Sequence, residues 1–480
     1  MSKAQASFLW HDYETSGTDP ARDRPLQFAA IRTDAALNVV DEPLMFYCKP
    51  ARDVLPQPEA CLVTGISPQH AELNGFTESQ CIAEIHSQMM QPGTCVAGYN
   101  NIRFDDEFTR FTLYRNFYDA YEREWKNGNS RWDLIDVLRL CAAVRPEGIV
   151  WPCDDEGLPG FRLEMLTAAN NIEQAGAHDA LVDVRATIDM ARLVRDKQPK
   201  LYDYTLSMRN KKQVAGIVQL GSSKPLLHVS GMFGSRNHCA SVVLPLCMHP
   251  VNKNAVIALD LRESPDDFLG LSVDEIRQRV FSSHQELGDT PRIALKNIHL
   301  NKCPMLAPVS MVTEEVAQRL KLDMQQLRRH YDALVASPSE WGKAADVFAE
   351  RDLPQALSKD VDLRLYTGGF FSDADKSLMS KIRHSKPQQL ASQVFAFEDE
   401  RLPEMLFRYR ARNFPDSLSE SEQQRWQQYC FTKLTDPAAG ATITMEAYQE
   451  QLEKLFMLYQ DDEQKMQLLG QLMDWADSLL

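Results

Sequence analysis

At 480 residues, 44% of them hydrophobic and 25% charged, the chain is too long for one ordinary core and is expected to form two to four globular domains. A net charge of -15 argues against a protein that coats nucleic acid indiscriminately, because phosphate neutralisation needs Lys and Arg throughout the footprint. No apolar run approaches the roughly 18 residues of a membrane span, and the opening "MSKAQASFLWHDYE" lacks the pattern of a signal peptide, so a cytoplasmic protein without membrane attachment is expected. Ten cysteines with no Cys-x-x-Cys pair read as buried thiols rather than zinc ligands or disulfides.

In "FLWHDYET" an apolar run ends in two carboxylates at i and i+2, and the period of a strand near Phe8 to Tyr13 puts Asp12 and Glu14 on one face. Two buried anions raise each other's proton affinity unless a cation sits between them, and a divalent hard cation with oxygen ligands is the usual partner. Further strands are predicted near Gln27 to Thr33 and Leu44 to Cys48. In "GYNNIRFDDEF" an Asn pair suits a turn, and Asp105 falls in the first turn of a helix.

From Arg110 to Trp132 cations alternate with rings: Arg110, Tyr114, Arg115, Tyr118, Tyr121, Arg123, Trp125, Lys126, Arg131 and Trp132. Such a mixture suits a single strand of nucleic acid, and it suits equally a solvated face beside core aromatics. A second basic stretch runs from Arg192 to Lys212. In "GAHDALVDVRATIDMARLV" His178 precedes a periodic helix that carries Asp183 about one and a half turns in. The alternation of strand and helix to about residue 198 predicts an α/β domain. Beyond it "LLHVSG", "SVVLPLCM", "AVIALDL" and "ALKNIHLN" predict a small barrel, followed by helical "EEVAQRL" and "LDMQQLRRHYDALV". From about residue 354 the pattern is helical, with Met445, Tyr448, Leu452, Leu455, Phe456 and Tyr459 recurring at three- and four-residue spacings.

Asp-x-Glu, Asn-x-x-Phe-Asp and His-x-x-x-x-Asp, in this order, resemble the exonuclease motifs of the histidine-containing branch of the DEDD superfamily. "RPLQFAAIRTD", "SRWDLIDV", "GLPGFRLEMLT", "HVSGMF", "NKCP" and "YRARNFP" extend the resemblance, to the bacterial exonuclease I family, from about residue 7 to the C-terminus. The resemblance implies a ribonuclease H-like α/β exonuclease domain (7–198) with a mixed sheet flanked by helices. An SH3-like β-barrel domain with added helices (199–353) and a C-terminal helical domain (354–480) follow. It also implies processive 3′ to 5′ hydrolysis of single-stranded DNA to 5′-mononucleotides by a monomer acting in DNA repair and recombination. The partner it implies is the acidic, Phe-ended tail of single-stranded-DNA-binding protein, in a groove the sequence does not place.

On this reading Asp12, Glu14 and Asp183 hold one Mg²⁺ and Asp105 supports a second, with Mn²⁺ able to substitute. Two such ions about 3.5–4 Å apart clamp an in-line displacement, and His178 is the general base that takes a proton from the attacking water. Glu14 also contacts substrate, and Arg162, ahead of a helix, is expected to hold phosphate near the scissile nucleotide or else to be a surface arginine at a helix start. Arg110, Arg139, Arg145, Tyr121, Trp125, Tyr204 and Lys211 are candidates for a strand-guiding groove between the first two domains. Two rivals stay open: an exoribonuclease or small-oligonucleotide exonuclease using the same carboxylates, and a nucleic-acid-binding module without activity. About 280 residues beyond the catalytic domain favour a long polymer, and five retained polar groups count against an idle site.

Overall fold

The computed structural model describes residues 6–174, 179–349 and 358–479. They fall into two compact units, one from Met1–Ser130, Gln174–Arg185 and Ala356–Leu480, the other from Arg131–Glu173 and Ala186–Gln355.

In the first unit β1 (Ser7–Thr15), β2 (Pro25–Thr33), β3 (Leu44–Tyr47) and β4 (Thr94–Gly98) lie in the order β3-β2-β1-β4. β1 pairs antiparallel with β2 and parallel with β4, which makes the sheet mixed. As an inner strand β1 is buried on both faces. Its odd positions Leu9 and Tyr13 join Phe28, Ile82, Ile85, Val96 and Leu113 in one core, leaving Phe8, Trp10, Asp12 and Glu14 to the opposite face.

The C-terminal helices belong to this same unit. Met445, Tyr448, Leu452 and Leu455, the stripe read from the sequence, share a core with Leu26, Leu55, Cys61 and Ile66. Ile382, Met405 and Tyr409 share another with Phe111, Tyr114 and Phe117. A buried ion network joins the same two stretches of chain. Asp53, fully buried, accepts from Arg412 at 3.1 and 2.7 Å and from Lys433 at 2.9 Å. Asp362 accepts from Arg408 at 3.1 Å and from Arg412. Burial alone would raise the Asp53 carboxyl, but Arg412, Lys433 and Arg24 outweigh it and hold Asp53 well below the usual carboxylate range. Burial is likewise outweighed at Glu78 by Arg115 and Arg24.

The second unit takes over within β5 (Ser130–Asp133), which runs into the helix Leu134–Val144; Asp133 caps it by accepting from Ile135 N. Its sheet is antiparallel, built from β6 (Leu226–Val229), β7 (Ala240–Met248), β8 (Ala255–Asp260), β9 (Leu295–His299) and β10 (Met305–Pro308) in the order β10-β6-β7-β8-β9. β7 carries a register shift at Pro245 to Cys247, where a residue without an N–H would break an even ladder. β10 is a four-residue strand that the sequence reading did not anticipate. The ten cysteines are free thiols, with Cys153 exposed. Among the described residues no helix is long and apolar enough to cross a membrane.

Candidate metal and active site

β1 and β4 run in register from Ser7 opposite Thr94 to Trp10 opposite Ala97. β4 then ends, and Gly98 permits the turn: a Cβ there would lie 2.8 Å from His11 O and 2.9 Å from Asn101 Cβ. Past Trp10 one edge of β1 therefore has no strand beside it. Asp105, the first residue of the helix Asp105–Arg115, fills that edge by accepting from Tyr13 N at 3.2 Å. The helix is docked in turn by Thr109, whose Oγ1 donates to Asp105 O at 2.9 Å and lies 3.0 Å from Tyr13 Oη.

On the other face Asp12 and Glu14 meet Asp183, from the helix Ala180–Lys197. Carboxylate oxygens of these three residues lie within 4.8 Å of one another. Asp105 stands beside this group rather than in it. Gln27, opposite Glu14 in the β1–β2 register, accepts from Ala180 N at 3.2 Å and so ties the start of the Asp183 helix to the sheet. Asp183 Oδ1 also accepts from Gln174 Nε2 at 2.7 Å.

The electrostatics follow from that crowding. Burial, then the Asp183 charge, pushes Asp12 well above the usual carboxylate range. Burial, then Asp12, Asp183 and Asp179, pushes Glu14 up to about 9. Burial and mutual repulsion thus disfavour the charged form of Asp12 and of Glu14. A set of hard oxygen donors that repel one another fits a divalent cation such as Mg²⁺ or Mn²⁺, which would convert the repulsion into binding.

His178, the expected base, lies outside the described residues. His11, the other histidine near the cluster in sequence, is a core residue: its Nδ1 donates to Ala97 O at 3.1 Å, and burial lowers it to about 4.

The Arg110 to Trp132 stretch is mostly interior. Arg110, Tyr114, Arg115, Arg123, Arg131 and Trp132 are buried, and Arg123 pairs with the buried Asp106 at 2.6 Å. Arg110, expected to contact the strand, pairs with Glu124 at 2.7 Å and Glu107 at 2.6 Å. Tyr121 is half-buried beside Arg110 and Phe370, while Trp125, 68% exposed, is the open ring of the stretch.

In the second unit Arg162 is exposed at the N-cap of the helix Leu163–Ala169 and Arg145 is exposed at the end of Leu134–Val144. Arg139 pairs with Asp136 at 2.8 Å and lies over Phe161. Tyr204 Oη donates to Leu306 O at 2.7 Å, and the exposed Lys211 reaches Asn254. Gln27 and Gln174 are the residues that the sequence reading missed. Gln27 left a faint signal, a lone polar side chain inside the apolar run "PLQFAAI".

The sequence family described as Exonuclease matches residues 9–191, Exonuclease I SH3-like domain matches 209–350, and Exonuclease I C-terminal domain matches 359–479. Exodeoxyribonuclease I of Escherichia coli is 47% identical over 478 residues, spanning 100% of this chain and 99% of its own. The chain belongs to the exonuclease I family. Its fold agrees throughout: the crystal structure of E. coli exonuclease I in complex with a dA16 oligonucleotide has a TM-score of 0.95 at 47% identity, covering 99% of this chain and 100% of that one. A crystal structure of SSB/exonuclease I in complex with the inhibitor CFAM has a TM-score of 0.91 at 46% identity, over 99% and 100% of the two chains. The expected ribonuclease H-like, SH3-like and helical parts are those of the family.

Proposed function

We propose that this protein degrades single-stranded DNA from the 3′ end to 5′-mononucleotides, processively and with Mg²⁺ as the working cation, in DNA repair and recombination. The observation that carries the reading is the convergence of Asp12, Glu14 and Asp183 to within 4.8 Å in a chain of the exonuclease I family. These three residues would hold one cation and Asp105 a second. When bound, the cations supply charge neutralisation at the scissile phosphate and acidify the attacking water.

The chain's own residues do the rest. Asp105 and Tyr13 N fix where the strand end meets the helix, so Asp12, Glu14 and Asp105 are presented by two elements joined at that hydrogen bond. His178, five residues ahead of Asp183, receives the proton of the attacking water and returns it to solvent. Arg162 and Arg145, both exposed, and Trp125 are offered to phosphates and bases. Segments 7–198, 199–353 and 354–480 would be its exonuclease, SH3-like and C-terminal helical domains, and the protein would act as a monomer in the cytoplasm. The match to an SSB/exonuclease I structure supports docking of the single-stranded-DNA-binding protein's acidic tail.

The test is digestion of end-labelled DNA and RNA single strands, 3′-blocked, 5′-blocked or open, with Mg²⁺ or with chelator. Open and 5′-blocked DNA should be consumed and 3′-blocked DNA spared, with no reaction in chelator. Digestion that ignores the 3′ block or the chelator overturns the proposal, and RNA consumed faster than DNA installs the ribonuclease reading instead.

A further inference from the structure

Gln174 lies in the connection between the helices Leu163–Ala169 and Ala180–Lys197 and is half-buried. Its Nε2 donates to Asp183 Oδ1 at 2.7 Å, a length that marks a firm hydrogen bond to a carboxylate. Gln27 Oε1 accepts from Ala180 N at 3.2 Å, three residues before Asp183. One amide therefore fixes the backbone that carries Asp183, and the other fixes its carboxylate.

We propose that Gln174 is a positioning residue for the cation site: its amide sets the rotation of the Asp183 carboxylate so that this ligand enters the three-acid cluster in one orientation. The inference rests on the reading that the cluster holds a divalent cation. The chemistry of the side chain suits the task. A lysine or arginine there would neutralise the cluster and compete with the cation, whereas an acid would add to the repulsion that already raises Glu14 and Asp12. A carboxamide does neither, because Nε2 only donates and carries no charge. A carboxylate oxygen that accepts one hydrogen bond keeps a second lone pair, so the contact need not be broken for a cation to bind. Partners of this kind, hydrogen-bonded to a ligating group, are typically worth about 10–100-fold in metal affinity.

The test is Mn²⁺ titration calorimetry on the full chain without DNA, comparing the parent with Gln174→Met, Gln174→Ala and Asp183→Asn. Methionine keeps the length of glutamine and removes the donor; alanine guards against a packing fault in the longer variant. Both Gln174 variants should bind Mn²⁺ about 10–100-fold more weakly, with melting temperatures in chelator like the parent's. The Mg²⁺ concentration giving half-maximal digestion should rise in step. Affinities within about twofold of the parent, with binding abolished in Asp183→Asn, would overturn the role of Gln174 and leave the cation site standing. A parent that binds no Mn²⁺, or an Asp183→Asn variant that binds it normally, would overturn both.

Discussion

Glu14→Gln should make the cation-free protein more stable while abolishing its reaction. Glu14 is 7% exposed, and burial followed by Asp12, Asp183 and Asp179 raises its carboxyl from 4.5 to about 9. The folded value lies above the unfolded one, so between them the folded state binds a proton that the unfolded chain does not. Stability then falls by about 1.4 kcal/mol for each pH unit climbed through that window. From the unfolded value to about pH 7 is roughly 2.5 units, so the cluster costs about 3 kcal/mol at neutral pH. Glutamine keeps the shape of the side chain and has no such proton to bind. The gain corresponds to roughly 3–6 °C in melting temperature for a unit of this size, measured by circular dichroism in chelator. At about pH 5 the same arithmetic leaves less than about 1 kcal/mol, so the two proteins should melt almost together. Mn²⁺ should then stabilise the parent and leave the variant where it was. A variant that melts at or below the parent at neutral pH, or a gap of the same size at low pH, would refute the account of the cluster as repelling acids awaiting a cation.

Asp53→Asn should act in the opposite direction, because it takes the nearest charged partner from the buried Lys433 and one of two from Arg412, which keeps Asp362. The expected loss is about 3–5 kcal/mol, read in a thermal melt, with normal digestion below the melting range since Asp53 is not in the three-acid cluster. The pH dependence has its own sign: Asp53, Glu78 and Asp362 are all held below the ordinary carboxylate range, so their stabilisation is complete above the unfolded values near 4 and is lost as pH falls through the lowered ones. Acid melts should show the parent losing more than Asp53→Asn. Gln27→Leu removes the acceptor for Ala180 N and should cost about 1–3 kcal/mol, with weaker Mn²⁺ binding; a lower melting temperature with unchanged binding would deny it a part in the site.

What could be read from the sequence was whatever repeats with a short period or stands next to itself in the chain. Asp12 and Glu14 are two apart on a strand, Asp105 opens a helix, and Asp183 sits in a strongly periodic one, so each could be placed by local geometry and the three motifs joined by the family resemblance of their order. The stripe from Met445 to Leu455 was legible for the same reason. The Arg110 to Trp132 stretch was not, because alternation of cations and rings is compatible with both a groove and a core. Only the partners decide, and Asp106 holding Arg123 lies 17 positions away. Asp53 with Arg412 is 359 positions apart, a distance at which no pattern in a single sequence connects two charges. Gln27 and Gln174 escaped because neutral amides break no charge pattern and mark no turn.

Asp53 and Glu14 make the sharper distinction between structural and functional acids. Both are buried in the same unit, and burial pushes both carboxyls up. At Asp53 the fold supplies Arg412, Lys433 and Arg24, and the charged form wins. At Glu14 the neighbours that act on it are Asp12, Asp183 and Asp179, and the charged form loses. A fold able to bring three cations to one aspartate had the means to neutralise its other buried acids. Among the described residues the groups acting on Glu14 are acids and Asp183 is held by a neutral amide, an arrangement that suits a neutralising charge brought by a bound cation. A divalent cation bound at that point gains its affinity from the same repulsion that destabilises the empty cluster, which is why stability in chelator and binding of Mn²⁺ should move in opposite directions when Glu14 is neutralised.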